Sequence, residues 1–313
     1  MVGGLSYNGG PIILRHSTIT ELMSTLPSPS MPAPGQLQAA LTHALPNFHQ
    51  IDWVQSTLST NADLMARARS SDGPLARPWL LGAHLQERGR GRAGRSWQNR
   101  AGANLMFSCA FDVFLPSQRL PALSPLAGLA ACEALRRLIQ PTLRNQLSMK
   151  WPNDIQWGLA KLAGILVEVT RAGTSRLSAD HYVAVIGMGI NLNDARALSQ
   201  SLDRQVADWS EITREDAHAA AVDAVDIVAG IANAWYTSLN DVTARGFAGL
   251  PERYAEVDIL AGQHINVLDE GRLTHAGIAC GVNDLGQLLV RTHTGETPIS
   301  VGDISVRAQG ARP

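Results

Sequence analysis

Apolar residues recur along the chain with two different periods. From Leu123 they fall at Leu123, Leu126, Ala127, Ala130, Ala131, Ala134, Leu135 and Leu138. That i, i+3, i+4, i+7 spacing predicts an amphipathic helix, with Arg136 and Arg137 on its wet side. A second long helix is expected to open at Thr213 with Asp216, and to bury Ala217, Ala220, Ala221, Ala224, Val225, Val228, Ala232 and Trp235. Ser59-Thr60-Asn61 ahead of A-D-L-M-A-R-A-R is a helix N-cap signal, with Asp63 three residues after Thr60. Apolar runs bounded by Gly, Asn and Pro predict strands over Trp79–Leu85, Asn104–Phe114, Leu147–Trp151, Gly164–Val169 and His181–Ile190. Beyond Pro251 the period falls to about two, in H-I-N-V-L-D, H-A-G-I-A-C-G-V, Q-L-L-V-R-T and P-I-S-V. Such short strands between Gly and Asp turns predict a small all-β barrel of about 60 residues.

The first 46 residues lack this density. Leu26–Gly35 holds four prolines in ten positions, which neither a helix interior nor a central strand tolerates. The expected organisation is an N-terminal extension over 1–46, disordered through 35 with a short helical lead-in over 36–46. A catalytic domain over 47–252 and a C-terminal barrel over 253–313 follow. A length of 313 residues suits two domains, and 45% hydrophobic against 17% charged residues is ordinary globular composition. Basic and acidic residues number 26 and 27, so net charge gives no reason to expect a dedicated nucleic-acid binder. Cys109, Cys132 and Cys280 show no C-x-x-C spacing, which argues against a disulfide scaffold or zinc finger and for a reducing, cytoplasmic setting. No apolar run reaches the roughly 18 residues of a membrane span, and no charged-then-apolar leader opens the sequence. The basic residues divide into 24 Arg and 2 Lys. Codon bias accounts for the Arg excess. The two lysines, Lys150 and Lys161, then mark positions where a compact ammonium is wanted rather than a planar fork.

Three segments carry candidate chemistry. Gln86–Trp97, Q-E-R-G-R-G-R-A-G-R-S-W, alternates glycines with arginines. Glycine lets backbone N–H groups approach a ligand, and arginine brings forked donors for phosphate or carboxylate. The loop reads as an anion-ligand site, with an RGG-like RNA tract or a plain surface loop as alternatives. K-W-P-N-D over Lys150–Asp154 is a strand followed by a turn. In K-L-A-G-I-L-V-E over Lys161–Glu168 a lysine stands at a strand start beside Gly164. Asp and Asn at a strand end can face a metal–phosphate unit, and Lys can neutralise developing negative charge; a hairpin turn and a solvated Lys is the plain alternative. I-G-M-G-I-N-L-N over Ile186–Asn193 lacks the complete G-x-G-x-x-G of a dinucleotide fingerprint. No G-x-x-x-x-G-K-[ST], H-E-x-x-H or G-x-S-x-G occurs.

In this order, Ser59-Thr60-Asn61, Gln86–Trp97, Lys150–Asp154, Lys161–Glu168 and Gly187–Asn191, closed by G-D-I-S-V-R at Gly302–Arg307, resemble the serial motifs of the biotin protein ligases. The resemblance covers about residues 47–310. It implies an α+β fold, a mixed sheet flanked by helices in the class II synthetase-like manner, followed by an SH3-like barrel. It implies a ligase that activates biotin with ATP to biotinyl-5′-AMP, with Mg²⁺, and passes biotin to one lysine of a biotin carboxyl carrier protein such as an acetyl-CoA carboxylase subunit. By the same resemblance Ser59, Thr60, Asn61 and Gln86 meet biotin. Arg90, Gly91 and Arg92 close over it, Gly164 lies beside it, and Lys161 contacts its carboxylate and the α-phosphate. Lys161 and Arg92 are the catalytic pair. Arg95, Trp97, Asn153, Asp154, Asn191 and Arg307 fall on the ATP side, with Asp154 toward the metal. Glu87-Arg88 departs from the family, where small residues are common after the Gln. A lipoate–protein ligase and a biotin-responsive DNA-binding repressor are the rivals. The resemblance disfavours the second, because residues 1–46 hold one arginine, Arg15, and no lysine. A monomer and a homodimer both stay open.

Overall fold

The computed structural model describes residues 31–70, 76–172, 177–202, 204–301 and 304–308; residues 32–313 form one compact unit. A seven-stranded sheet comprises β1 (Gln50–Thr57), β2 (Trp79–Gln86), β3 (Asn104–Phe114), β4 (Leu147–Lys150), β5 (Asp154–Trp157), β6 (Ala160–Arg171) and β7 (His181–Asn191), in the spatial order β1-β2-β3-β7-β6-β5-β4. Only β1 and β2 pair in parallel; every other neighbour is antiparallel. The predicted strands are all present, with β6 extended at both ends. β3 and β7 are buried almost throughout, as strands covered on both faces must be.

The crossover from β1 to β2 is α2 (Thr60–Ser70). It lays Leu64, Met65 and Ala68 on Trp79, Leu81, Ala110, Val183 and Val185, all on one face of the sheet. The opposite face carries α3 (Leu123–Arg137) and α6 (Ala224–Arg245), joined where the Trp235 Nε1–H donates to Ala127 O (2.9 Å) and its ring meets Phe107 at 5.5 Å.

Four expectations need correction. The lead-in is α1 (Pro34–Ala44), and it is a packed part of the catalytic body. Leu37, Leu41 and Leu45 are fully buried, and α1 lies against β1 and α6. Apolar spacing within the proline-flanked stretch outweighed its composition. Residues 1–30 of the extension lie outside the described residues. Second, the long helix starts at Asp223, not Thr213. Asp223 and Asp226 form a reciprocal capping box, whereas Asp216 accepts N–H groups from Gln140, His218 and Ala219 in a turn. Ala217, Ala220 and Ala221 are consequently exposed. Alanine fits a helical period without demanding burial. Third, α2 is capped by Ser59, whose carbonyl accepts from Asp63 N, while the Asp63 carboxylate takes the Thr57 hydroxyl. Fourth, Arg136 is half-buried and donates to Leu147 O and Glu256 O.

Short helices α4 (Ala195–Leu202), α5 (Trp209–Glu215) and α7 (Leu250–Ala255) lead to a five-stranded antiparallel sheet. Its strands are β8 (His264–Asp269), β9 (Arg272–Val282), β10 (Leu288–Thr292), β11 (Gly295–Ile299) and β12 (Ile304–Ala308), in the order β11-β10-β9-β8-β12. This is the predicted all-β unit. The chain entering it first pairs with the outer edge of β4, through Met149 N to Val257 O (2.7 Å) and Ile259 N to Met149 O (3.0 Å). Gly302 and Asp303 of the closing motif lie outside the described residues.

Candidate functional site

The α2-covered face becomes a cleft farther along the strands. On β7 the residues of that face run Val183, Val185, Gly187, Gly189. The valines meet α2, and the glycines leave bare backbone. Gly164 of β6 pairs with Gly189 and extends this floor. A Cβ on Gly187 would strike the Asn61 amide, and one on Gly189 would strike the Trp97 indole. The cavity above holds about 530 Å³, within the roughly 300–1,000 Å³ usual for small-molecule sites. Residues from β2 to β5 line it. Four inter-strand steps of about 4.8 Å give it a reach of roughly 19 Å.

One end is a polar wall. The Gln86 side-chain carbonyl accepts from Thr60 N (2.8 Å), so Gln86 Nε2 has no partner among the described residues. Thr60 Oγ1 lies 2.6 Å from Ser108 Oγ, and Ser108 donates to Asn61 Oδ1 at 2.6 Å. Asn61 Nδ2 donates to Glu168 Oε2 (3.0 Å), which also accepts from Arg90 Nη2 (3.2 Å). Ser59, Thr60, Asn61 and Ser108 are all buried, so the chain of bonds holds their polar atoms in fixed directions.

The Gly–Arg segment is a tight hairpin. Trp97 N donates to Gly89 O (2.8 Å) and Gly91 N to Arg95 O (2.6 Å), about a 3₁₀ turn at Arg92–Gly94. Ala93 and Gly94 take φ of 53° and 67°. Gly94 does so freely, and Ala93 at a cost of about 1 kcal/mol. Arg92 Nη1 donates to Asn153 Oδ1 (3.1 Å), and Asn153 Nδ2 to Ile165 O (2.6 Å). The Trp97 indole packs against Gly164 and Gly189.

Lys161 sits where these parts converge. Its Nζ is 2.5 Å from Asp154 Oδ1 and 5.8 Å from the Trp97 ring centre. Its backbone is clamped on both sides: N donates to Gln205 O, and O accepts from Ala207 N and Asn191 Nδ2. Burial holds the neighbouring Lys150 amine below the usual lysine range; Asp154 pulls it back up, while Lys161, Arg307 and Arg204 push it down.

Of the residues singled out in the sequence, Ser59, Thr60, Asn61, Gln86, Arg90, Gly91, Arg92, Arg95, Trp97, Asn153, Asp154, Lys161 and Gly164 all line the one cleft. Asn191 does not. It is buried in a small side pocket beyond Trp97, its amide spent on Asn104, Lys161 and Ala207. Arg307 is exposed on β12, outside the lining. Sequence reasoning missed Ser108, Glu168 as an anchor for Arg90, and Arg204. Ser108 could have been found from the strand period, because it shares a face with Ala110; Arg204 carries no local signal.

Residues 55–191 match the biotin/lipoate A/B protein ligase family, and residues 261–307 match the biotin protein ligase C-terminal domain. A biotin–[acetyl-CoA-carboxylase] ligase of Mycobacterium tuberculosis is 30% identical over 278 residues, 86% of this chain and 93% of that relative. The bifunctional ligase/repressor BirA of Escherichia coli is 28% identical over 88% of this chain and 76% of its own length. The structure of the Aquifex aeolicus biotin protein ligase in complex with biotin and ATP superposes with a TM-score of 0.65 at 25% identity, covering 84% of this chain and all of that one. With the two domain matches in the same order as the two sheets, the chain belongs to the biotin protein ligase family.

Proposed function

We propose that this cleft carries out both half-reactions of a biotin ligase. A carboxylate oxygen of biotin attacks the α-phosphorus of ATP, the bond to the β-phosphate breaks, and pyrophosphate leaves. The ε-amine of a carrier lysine then attacks the acyl carbon of biotinyl-5′-AMP and AMP departs. The carrier is a biotin carboxyl carrier protein of the kind acetyl-CoA carboxylase contains. The observation that carries this reading is Lys161, its backbone clamped by Gln205, Ala207 and Asn191 and its amine set against Asp154 in the cleft. Bringing a carboxylate to a polyphosphate opposes two anions. A preset ammonium and the Arg92 guanidinium offset that repulsion without reorganising.

The polar wall suits a ureido ring. Gln86 Nε2 is an open donor for its carbonyl, while Ser59, Thr60 and Asn61 enclose it. Gly164 and the other floor glycines leave room for the rest of biotin, and Gly91 with Arg90 lets the hairpin lie across it. Arg95, Trp97, Asn153 and Asp154 serve the nucleotide. Asn191 acts through Lys161, whose carbonyl it holds, and Arg307 acts from the C-terminal sheet. Mg²⁺ enters as MgATP. Among the described residues no cluster of three or more His, Cys, Asp or Glu stands ready for a metal, and Asp154 is committed to Lys161. One carboxylate beside a phosphate path fits a cation held chiefly by the substrate, whose chemistry is to neutralise the leaving pyrophosphate.

The match of residues 261–307 to the biotin protein ligase C-terminal domain favours biotin over lipoate. No helix among the described residues is long and apolar enough to cross a membrane. A cytoplasmic enzyme without DNA binding, able to pair as a homodimer along its sheet, completes the proposal. The test is ATP-dependent transfer of labelled biotin to a carrier domain, with lipoate as competitor. Transfer of lipoate in preference to biotin, or no transfer at all, would overturn it. Gel shift with biotin and ATP, and sedimentation with and without them, check the remaining points.

A further inference from the structure

The turn that carries Asn153 and Asp154 is held from outside the catalytic sheet. Trp151, 2% exposed, directs its indole N–H away from the cleft to Gly286 O of the C-terminal sheet, at 3.0 Å in a buried contact. Gly286 lies in the turn Asn283–Gln287 between β9 and β10. That turn is rigid by its own bonds: Asn283 Oδ1 accepts from both Leu285 N and Gln287 N (3.0 Å each), and Asn283 O accepts from Gly286 N (2.9 Å). It is also seated against the catalytic unit. Gly286 has φ of +70°, and a Cβ there would come within 2.7 Å of Pro125 and 2.8 Å of Ala122. Arg119 Nη1 donates to Asp284 O and Oδ2, both at 3.2 Å.

Two residues beyond Trp151, Asn153 accepts from Arg92 and donates to Ile165 O; the next residue, Asp154, holds Lys161. The polar wall at Ser59–Asn61 and Gln86 has no such link among the described residues. It is braced by Ser108 and Glu168 on the catalytic strands.

We propose that Trp151 is a positioning residue for adenylate formation. Through its indole N–H the Asn283–Gln287 turn of the C-terminal sheet keeps the Asn153–Asp154 turn, which serves the nucleotide, in place, while Lys161 stays fastened by its backbone bonds to Gln205, Ala207 and Asn191. The C-terminal sheet thereby acts on the nucleotide end of the cleft and leaves the biotin end alone. A buried indole N–H without its acceptor is costly, so the pair favours one geometry of the turn. The proposal rests on the ligase reading.

The experiment measures biotin-dependent ATP–pyrophosphate exchange with the full chain. Absence of biotin-dependent exchange in the parent would overturn the ligase reading, whatever the variants do. Trp151→Phe keeps most of the ring volume and removes the donor. Losing one buried hydrogen bond should raise the KM for ATP about tenfold and lower kcat, with the KM for biotin within about twofold of the parent. Arg119→Ala loosens the same turn from an exposed position and should give the same ATP-only signature at about two- to threefold. An unchanged KM for ATP in a folded Trp151→Phe enzyme overturns the proposal. So does a parallel rise in both KM values, which marks general loosening. Should Trp151→Phe not fold, Arg119→Ala decides by the same criteria.

Discussion

Replacing Lys161 by alanine removes the one ammonium that lines the cleft among the described residues. Its side chain is 16% exposed and that of Asp154 28%, so water screens the site only partly. A charge pair about 4 Å apart is worth about 4 kcal/mol at an effective dielectric of 20. Some of that attraction is already used on Asp154 before substrate arrives. What is lost in the transition state therefore corresponds to one preorganised donor, about 3–4 kcal/mol or a 10²–10³-fold fall in kcat. The fold should survive, because Lys161 is fastened to Gln205, Ala207 and Asn191 through its backbone, which alanine keeps. Biotin affinity should fall as well, and Asp154 is left to oppose the incoming phosphates. Lys161→Arg should recover only part of the rate, because a planar fork does not place its charge at the same point. The assay is biotin-dependent pyrophosphate exchange, run beside circular dichroism. Exchange within tenfold of the parent in a folded Lys161→Ala enzyme would refute the assignment and the charge argument behind it.

Glu168→Gln keeps an acceptor for Asn61 but loses the charge that holds Arg90; for a contact this exposed the expected effect is about threefold faster escape of biotinyl-AMP, read as stray biotinylation of serum albumin. Leu41→Ala should cost about 3 kcal/mol in urea denaturation, since Leu41 is fully buried on α1; a loss under 1 kcal/mol would show that α1 is not part of the core. Burial pushes the Asp258 carboxyl up to about 6 from 3.8, against the opposing N–H groups of Leu260 and Ala261. A raised folded pKa means stability present below about pH 4 is lost as pH rises through 6, so Asp258→Asn should stabilise the protein by about 2 kcal/mol at pH 7.5 and hardly at all at pH 4. Equal melting shifts at the two pH values would contradict that linkage.

Most strands were legible because each is a run of β-formers closed by Gly, Asn or Pro, and their ends fell within a few residues of the observed ones; β1, which mixes polar with apolar residues, the four-residue β5, and β12 were not read. The alanine-rich segment after Thr213 was not. Ala217, Ala220 and Ala221 satisfy a helical period yet sit in a turn held by the Asp216 carboxylate, and only the Asp223–Asp226 pair marks the true start. The proline-rich stretch hid three leucines that pack as tightly as any in the core. In the site, motif residues that touch the cleft were readable as a set. Those that act from a distance in sequence were not: Gly286 meets Trp151 across 135 positions, and no local pattern announces such a pair.

The floor of Gly164, Gly187 and Gly189 carries a consequence for inhibition and its escape. A compound lying on side chains can be evaded by changing them one at a time. Here the surface beneath the ligand is main chain, and the smallest possible addition at Gly187 or Gly189 would strike Asn61 or Trp97, residues the proposed reaction needs. Mutation has no small step available on that surface. An inhibitor that draws its affinity from the glycine floor and the Trp97 face would leave resistance to arise at the rim, where Arg95 and Arg204 are exposed.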